Sequence, residues 1–472
     1  MQIIGQFIFV FGVIWLIVAC INWIFNKQSW KPVVCKTSPS LSILIPARNE
    51  EENIRDLLSD LIRINYPVHE IIVYDDNSAD RTVEIVKEFA RVRLIEGKEP
   101  EKGWLGKNYA CHQLALAAQG EKILFLDADV RISDPVIEKI LCYLETKSLS
   151  LLSVFPQQLF PSTGSRFTIP LMNWILLSLL PLPLIPATHI PSLAAANGQC
   201  MLFDAKTYRR HLPHQKFRMN PVEDIRIMQY YKSRQLKTAT LLGDPHICCH
   251  MYGSWKEAIR GFSKNIFAFF GNSKIAAYMF ASLTTIAPFV IFHSHGKTVG
   301  MVYLGIILLI RIFFSLASHQ SVLQNILFSI PQQFSFWVIL LYATIHHKQK
   351  KTNMERPEYI SYILIVLLLF LSPVHTCPET SYRQQIYQAY LKGDMDTWDY
   401  IIKEMEKEEL SSVSEKLELL SYYYGYTGYL IGVKEKKGKR DDRKGKSTHQ
   451  NDIGDRTPER NCLRLQRFFY CL

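Results

Sequence analysis

The sequence predicts an α/β domain set between membrane-spanning segments. Three observations lead there. Apolar residues gather in long runs toward both ends of the chain, short apolar runs alternate with helical stretches between them, and three of the short runs end in acids or amides. With 472 residues, 48% of them hydrophobic, the chain is too long for one ordinary domain and too unevenly apolar for a purely soluble one.

The N-terminal element comes first. Met1 to Asn26 contains no Asp, Glu, Lys or Arg, and Lys27 is the first charge. About 20 such residues span a bilayer. Neither a basic start nor a small-residue cleavage site is present, so residues 1–26 read as an uncleaved anchor. Lys27, Lys31 and Lys36 then mark the cytoplasmic side.

Leu41–Pro46, Glu70–Tyr74, Val92–Ile95 and Ile123–Leu126 have the continuous apolar character of buried parallel strands. Helical patterns fill the intervals at about Glu51–Ile64, Asp80–Ala90 and Asn108–Ala118. Such alternation implies a βαβ layout with ligands at the carboxyl ends of the strands. Arg48-Asn49-Glu50, Asp75-Asp76-Asn77 and Asp127-Ala128-Asp129 fall at three of those ends. Residues 38–272 therefore form the expected central domain.

Phe167 to Ala196 is apolar but carries Pro170, Pro181, Pro183, Pro186 and Pro191, which argues against one unbroken spanning helix. It reads either as a hydrophobic flap on the membrane surface or as a re-entrant piece of core. Beyond Lys274, the runs Ile275–Gly296, Thr298–His319, Val322–His347 and Tyr359–Pro378 make residues 275–378 a membrane region. Arg311 in the second run needs an interfacial depth or a partner. For Lys348-Gln349-Lys350-Lys351 to face the cytoplasm, one run must be interfacial, and Pro331-Gln332-Gln333 marks the third. Residues 379–432 suggest a small all-α appendage, tetratricopeptide-like in its turn at Gly393-Asp394, and residues 433–472 a basic, disordered tail.

The net charge of +11 resides largely in that tail and beside the apolar runs, without interleaved aromatics. This favours anionic lipid headgroups over nucleic acid. The ten cysteines form no CxxC pair and fit free thiols in a reducing compartment. Cys248-Cys249-His250 makes a poor chelate, since neighbours on a strand point to opposite faces.

The chemistry centres on carboxylates. Asp127 and Asp129 can share Mg²⁺ or Mn²⁺ at a strand end, and such a cation neutralises a diphosphate. An isolated pair of this spacing is more often a solvated turn. Here it accompanies Asp75-Asp76, placed to accept hydrogen bonds from a nucleobase or ribose, with Asp80 positioned as a helix cap. Lys107, in the loop Gly103-Trp104-Leu105-Gly106-Lys107, offers a cation to phosphates, although a lone loop lysine is usually a solvated charge. Glu223-Asp224 opens a helix, where acids are favoured in any case, and a buried acid there can take a proton from a hydroxyl.

Together these motifs resemble the family-2 glycosyltransferases of GT-A (Rossmann-like) fold, over about Leu41 to Asn265. The resemblance rests on Pro46-Ala47-Arg48-Asn49-Glu50, Tyr74 to Asp80, Asp127-Ala128-Asp129, Asn197-Gly198-Gln199 and Glu223-Asp224. Gly261 to Asn265 adds a likeness to membrane enzymes that glycosylate carotenoid acids or are associated with hopanoid synthesis. The resemblance implies a nucleotide-sugar donor, most often a UDP-sugar, with Asp76 on the base and Ala47 and Glu50 near the nucleotide. It implies Asp129 on the metal, Asp127 on ribose or metal, and Asp224 as base in an inverting displacement. Asn197, Gly198, Gln199 and Glu223 would lie near the sugar and a lipid-associated acceptor.

Two features depart from related patterns. There is no Gln-x-x-Arg-Trp, only Met251 to Trp255, which argues against a long-polymer synthase. In place of Gly-Gly-His stands His211-Leu212-Pro213-His214, making His214 a candidate for that role. The expectation is a multi-pass protein of the cell (inner) membrane with its catalytic domain in the cytoplasm. Its rivals are a nucleotidyltransferase on the same fold, which lacks a Gly-rich basic loop here, and a non-enzymatic membrane scaffold.

Overall fold

The computed structural model describes residues 2–31, 38–100, 102–346 and 394–407, with isolated positions between 385 and 422. The chain divides into two compact units, Met1–Leu371 and Ser372–Leu472.

The apolar runs of the central region form a seven-stranded sheet. Its strands in chain order are β1 (Leu41–Ala47), β2 (Glu70–Asp75), β3 (Val92–Glu96), β4 (Lys122–Leu126), β6 (Leu151–Phe155), β8 (Cys200–Asp204) and β9 (Thr238–Leu242). The spatial order is β3-β2-β1-β4-β8-β6-β9, with β1, β2, β3 and β4 parallel and β8 antiparallel to both neighbours. A small sheet joins β5 (Val130–Ile132), β10 (Ile247–His250) and β7 (Gln157–Leu159). Helices Ile54–Arg63 and Val136–Lys147 bury leucines and isoleucines on one face of the large sheet. Helices Gly106–Ala117 and Glu223–Ser233 cover the other. The sheet is thus buried on both faces, which is why its strands read as unbroken apolar runs.

The four expected strands are present; the first two helices between them are shorter than their patterns suggest, and the third starts two residues earlier, at Gly106. The first begins at Ile54, because Arg48 to Asn53 forms a loop with Asn49 at φ 55°. Lys107 lies in the first turn of helix Gly106–Ala117 and not in a loop, a correction to the sequence reading. Cys142 is disulfide-bonded, against the expectation of uniformly free thiols, whereas Cys20, Cys111, Cys200, Cys248 and Cys249 are free.

The apolar ends pack onto this domain. Among the described residues, two helical runs are long and apolar enough to cross a membrane: Gln2–Ser29 and Lys274–Ala317. The second breaks at Gly296 (φ 78°, ψ 178°), a conformation that side-chain-bearing residues avoid. Contacts of the N-terminal helix show that the chain reverses there. Going up that helix, Gly5 meets Ser294 and His295 while Trp15 meets Phe280, so one half runs against it. Phe9 meets Tyr303 and Trp23 meets Phe313, so the other half runs with it. Ile275–Gly296 and Thr298–His319 are accordingly two helical segments, as their patterns suggest. The N-terminal helix turns Gly5, Gly12, Trp15, Ala19, Asn22 and Asn26 inward, and the small Gly5, Gly12 and Ala19 permit close approach. Its opposite face exposes Ile3, Val10, Ile14, Ile17, Ile21 and Ile24.

Arg311 finds partners, as expected. It donates to the Gln332 side chain and the Asn325 carbonyl, and its guanidinium lies 5.3 Å from the Trp174 ring centroid. The third run is divided into Val322–Leu327 and Ser329–His346, and Trp255 donates to Ser335 within it. Tyr359–Pro378, Lys348–Lys351 and the basic tail lie outside the described residues. In the second unit, the helix Met395–Lys407 is capped by Asp394, which accepts from Thr397 N at 3.1 Å.

The segment 167–196 follows the core alternative. Helix Pro170–Leu179 buries Leu171, Trp174, Ile175, Leu176 and Leu177 against Trp15, Phe280 and Phe336. Buried Asn22 holds its end, donating to the carbonyls of Leu177 and Leu180 (both 3.0 Å) and accepting from Leu182 N (2.7 Å). Asn26, on the same face, accepts from Leu242 N at 3.0 Å and donates to the Ala317 carbonyl at 3.1 Å. Replacing Asn22 with alanine strands three backbone groups, each costing about 1–3 kcal/mol when buried. Asn22→Ala should therefore lower the unfolding temperature in detergent by several degrees, whereas Ile21→Ala should not; equal midpoints would deny the bracket its role.

Candidate active site

Strand ends set the first half of the site. Ala47 pairs with Asp75 across β1 and β2, and Asp76 N donates to the Ala47 carbonyl at 2.8 Å. Asp76 is buried and 3.3 Å from the guanidinium of exposed Arg48. Asp75 and Asp76 each keep one buried carboxylate oxygen without a partner. Two such acceptors at adjacent positions are costly unless a ligand donates to them. The loops after β1 and β2 interlock: Asn49 N donates to Ser78 Oγ at 2.9 Å, Ala79 N to Asn49 Oδ1 at 2.8 Å, and Glu51 N to Asp80 at 3.0 Å. Asp80 also accepts from Thr82 N, but it stands one residue before the N-cap position, which Arg81 occupies. Glu50 accepts from Asn53 at 2.9 Å; burial raises its pKa, and Asp127 adds to the rise.

Helix Gly106–Ala117 closes over this end. A Cβ on Gly106 would stand 2.3 Å from Asp76 Oδ2. Gly106→Ala must therefore displace the Asp76 carboxylate. If Asp76 recognises the donor, the variant should raise the donor KM at least tenfold with a smaller change in kcat; an unchanged donor KM would remove Asp76 from that role.

The second half gathers around β4. Asp127 Oδ2 accepts from Lys107 Nζ at 2.7 Å. Burial alone would lower the Lys107 pKa, but Asp127 and Glu223 outweigh it and hold the ammonium protonated. Asp129 Oδ2 accepts from Gln199 Nε2 at 2.9 Å, while its Oδ1 is buried without a partner. Burial, reinforced by Asp127 and Glu50, pushes Asp129 up to about 7. Asn197 and Gln199 are bonded to each other, and Asn197 N donates to Ser153 Oγ at 2.8 Å.

Asp224 faces the same point. Its carboxylate accepts from Gly198 N at 3.0 Å and Ile225 N at 2.7 Å, so two amides fix its orientation. A Cβ on Gly198 would lie 3.5 Å from Lys107 Nζ, 3.7 Å from Glu223 Oε1 and 3.8 Å from Asp224 Oδ2. Burial raises both acids, Glu223 to about 7. The structure thus brings Lys107, Asp127, Gly198, Glu223 and Asp224 around one cavity, and Asp127 lies close enough to Glu50 and Asp129 to contribute to the rise of both.

That cavity, about 1850 Å³, is continuous with an apolar cleft. From the acids it passes between helix Pro170–Leu179, the N-terminal helix and the start of helix Lys274–Ala317. Phe11, Leu176, Met279, Leu283, Ile286 and Val290 are among its walls. Several of these, such as Met279 and Ile286, are more than half exposed.

His214 does not join the site. Its ring is buried among Phe125, Phe203 and Tyr208 and shares a 2.5 Å hydrogen bond with the Tyr208 hydroxyl. Burial lowers it to about 3, so it is a neutral core residue. Among the described residues, no group of three or more His, Cys, Asp and Glu is arranged to hold a metal, Cys248-Cys249-His250 included. Asn108 was not anticipated. Buried, it donates to the carbonyls of Phe217, Arg218 and Asn220, tying the Lys107 helix to the loop before Asp224. Its signal in the sequence is only a polar residue on an apolar helical face.

The chain is 26% identical over 245 residues to a 4,4'-diaponeurosporenoate glycosyltransferase of Staphylococcus haemolyticus, covering 49% of this chain and 62% of that protein. To the enzyme of the same name from Staphylococcus aureus it is 26% identical over 283 residues, covering 57% and 74%. Among solved structures, a mannosyltransferase from Pyrobaculum calidifontis, in complex with GDP-Man and Mn²⁺, superposes with a TM-score of 0.40 at 15% identity, over 73% of this chain and 99% of that one. TarS 1-349 of S. aureus, in complex with UDP-GlcNAc, gives 0.33 at 14% identity, over 65% and 91%. Residues 42–179, which hold β1 to β4 and both carboxylate clusters at their ends, match the model of glycosyl transferase family 2, and the chain carries a glycosyltransferase domain of that family.

Proposed function

We propose that this glycosyltransferase moves a sugar from a nucleoside-diphosphate donor, a UDP-sugar in the first instance, to a lipid-type acceptor, with inversion at the anomeric carbon. The observation that carries this reading is the single cleft joining Asp127, Glu223 and Asp224 to apolar walls on the candidate membrane helices. A soluble acceptor has no use for such walls; an apolar tail is retained by them. The name of the staphylococcal relatives, with 4,4'-diaponeurosporenoate as the compound glycosylated, supports the same acceptor type.

The donor binds at Asp75 and Asp76, whose unpartnered oxygens accept from the base and ribose, near Ala47 and Glu50. Asp129, with its orphaned buried oxygen, and Asp127 fit Mg²⁺ or Mn²⁺. Two carboxylates suffice for such an ion when phosphate oxygens complete its shell. Bound there, it would supply positive charge to the departing diphosphate. Lys107 adds a fixed positive charge at the same end.

Asp224 takes the proton from the acceptor hydroxyl. The acceptor oxygen forms its bond to the anomeric carbon as the bond from that carbon to the phosphate oxygen breaks, and nucleoside diphosphate leaves with the electron pair. The amides of Gly198 and Ile225 keep Asp224 aimed during this step. Burial raises its basicity above that of an exposed aspartate. Glu223 lies beside the acceptor and Asn197 to Gln199 beside the sugar.

In this reading the domain lies at the cytoplasmic face of the cell membrane, with Lys27 and Lys31 at the inner end of the anchor. The test incubates membranes holding the protein with UDP-glucose, UDP-GlcNAc or GDP-mannose, Mn²⁺ and a lipid extract. Release of nucleoside diphosphate with a product of inverted anomeric configuration is expected. Release of pyrophosphate instead would establish the nucleotidyltransferase alternative.

A further inference from the structure

Helix Glu223–Ser233 opens with the two site acids and ends, far from them, with Lys232, which is 0% exposed. Its ammonium donates to the carbonyls of Ile185 at 2.5 Å and Thr188 at 2.7 Å, not to a carboxylate. Burying a cation against neutral acceptors is expensive, and an apolar side chain would fill the space at less cost. Burial pulls the Lys232 pKa down to about 8, so the site holds a cation at neutral pH.

The two carbonyls belong to the segment that walls the apolar cleft. That segment is held at three places. Asn22 of the N-terminal helix binds Leu177, Leu180 and Leu182; Lys232 binds Ile185 and Thr188; and Thr240 of β9 donates to the Ala195 carbonyl at 2.5 Å. Between the first two, Pro181, Pro183 and Pro186 lack amide protons, so this stretch has fewer hydrogen bonds of its own to hold its shape. Beyond the third comes Asn197-Gly198-Gln199, whose Gly198 amide orients Asp224. The cleft wall and the base are therefore linked at both ends of one helix.

We propose that Lys232 is a positioning residue that holds the cleft wall in register with Asp224 and thereby governs use of the acceptor, but not binding of the donor. This rests on the transfer reading above. The donor residues Glu50 and Asp76 lie at the ends of β1 and β2, separated from the brace by the strands between β1 and β9.

The test compares the full-length wild type with Lys232→Met, which keeps the aliphatic stem and removes the donors. Three quantities are read in membranes or detergent: UDP binding with Mn²⁺, transfer rate against the concentration of a total lipid extract, and hydrogen exchange of backbone amides. Expected are UDP binding within twofold of wild type, an apparent acceptor KM raised at least tenfold with a smaller change in kcat, and exchange at 182–190 accelerated at least tenfold with 106–117 unaltered. Unchanged exchange and acceptor KM would overturn the proposal. So would donor binding, acceptor KM and thermal stability falling together, which marks a lysine that only stabilises the fold. Should Lys232→Met fail to fold, Lys232→Gln, with one shorter donor, is judged by the same criteria. If wild type transfers nothing to lipid, the transfer reading fails and acceptor control fails with it, while hydrogen exchange still shows whether Lys232 holds the wall.

Discussion

Asp224→Asn should lose kcat by about a thousandfold, within the 10²–10⁴ range of general-base catalysis, while keeping donor affinity. The substitution preserves shape and volume. Its one amide oxygen can accept from either Gly198 N or Ile225 N, and the other amide loses its acceptor. What disappears is the ability to accept a proton from the acceptor. UDP binding measured by calorimetry should remain within about threefold of wild type, and the protein should remain folded. Removing a buried carboxylate whose pKa burial raises offsets the lost hydrogen bond, so a folded, donor-binding, inactive protein is the required signature. Near-normal turnover would remove Asp224 from the reaction.

Asp129→Asn should carry the second-largest effect, a loss of about 10²–10³ in metal-stimulated transfer, on the scale of removing one electrostatic contact to a developing charge. The asparagine keeps a neutral oxygen for the cation but cannot offset its charge. The wild type should also show a pH signature. Asp129 titrates near 7, so below that value it is protonated and a cation must displace the proton. Apparent affinity for Mn²⁺ should rise as pH increases from 6 to 8 and flatten beyond, by up to about tenfold per unit on the acidic side. In Asp129→Asn that part of the pH dependence should vanish. Titration of Mn²⁺ binding by paramagnetic resonance, with UDP present, reads both. An identical pH profile in the two proteins would place the metal elsewhere.

The strand-end half of the candidate site was legible because its signals are local. Strands buried on both faces must be apolar throughout, so the change to Glu50, Asp76, Asp127 and Asp129 at their ends stands out in the sequence. The order of the sheet was less legible. β8 enters antiparallel between β4 and β6, and nothing in Cys200–Asp204 states its direction. Long-range polar contacts were not legible at all. Asn26 bonds Ala317 across 291 positions, Asn22 bonds Leu180 across 158 and Lys232 bonds Ile185 across 47. Each looks in sequence like a polar interruption of an apolar pattern, and only the fold reveals what it satisfies. His214 shows the converse error. A histidine at a suggestive spacing proves to be sealed among aromatic rings.

The apolar wall of the cleft explains why segment 167–196 combines five prolines with so many large apolar residues. It must fold back against the domain, bury Trp174 between Trp15, Phe280 and Phe336, and still present a greasy surface beside the acids. A single spanning helix does not meet those demands; short helices broken by prolines do.

The most direct test of the account is mass spectrometry of lipids from membranes that contain either the wild type or Asp224→Asn, each given the nucleotide-sugar panel with Mn²⁺. The account predicts a new lipid heavier by one sugar residue, formed only by the wild type and only with metal. Nucleoside diphosphate released by the wild type without any glycosylated lipid, or the same lipid formed by Asp224→Asn at an undiminished rate, would contradict it.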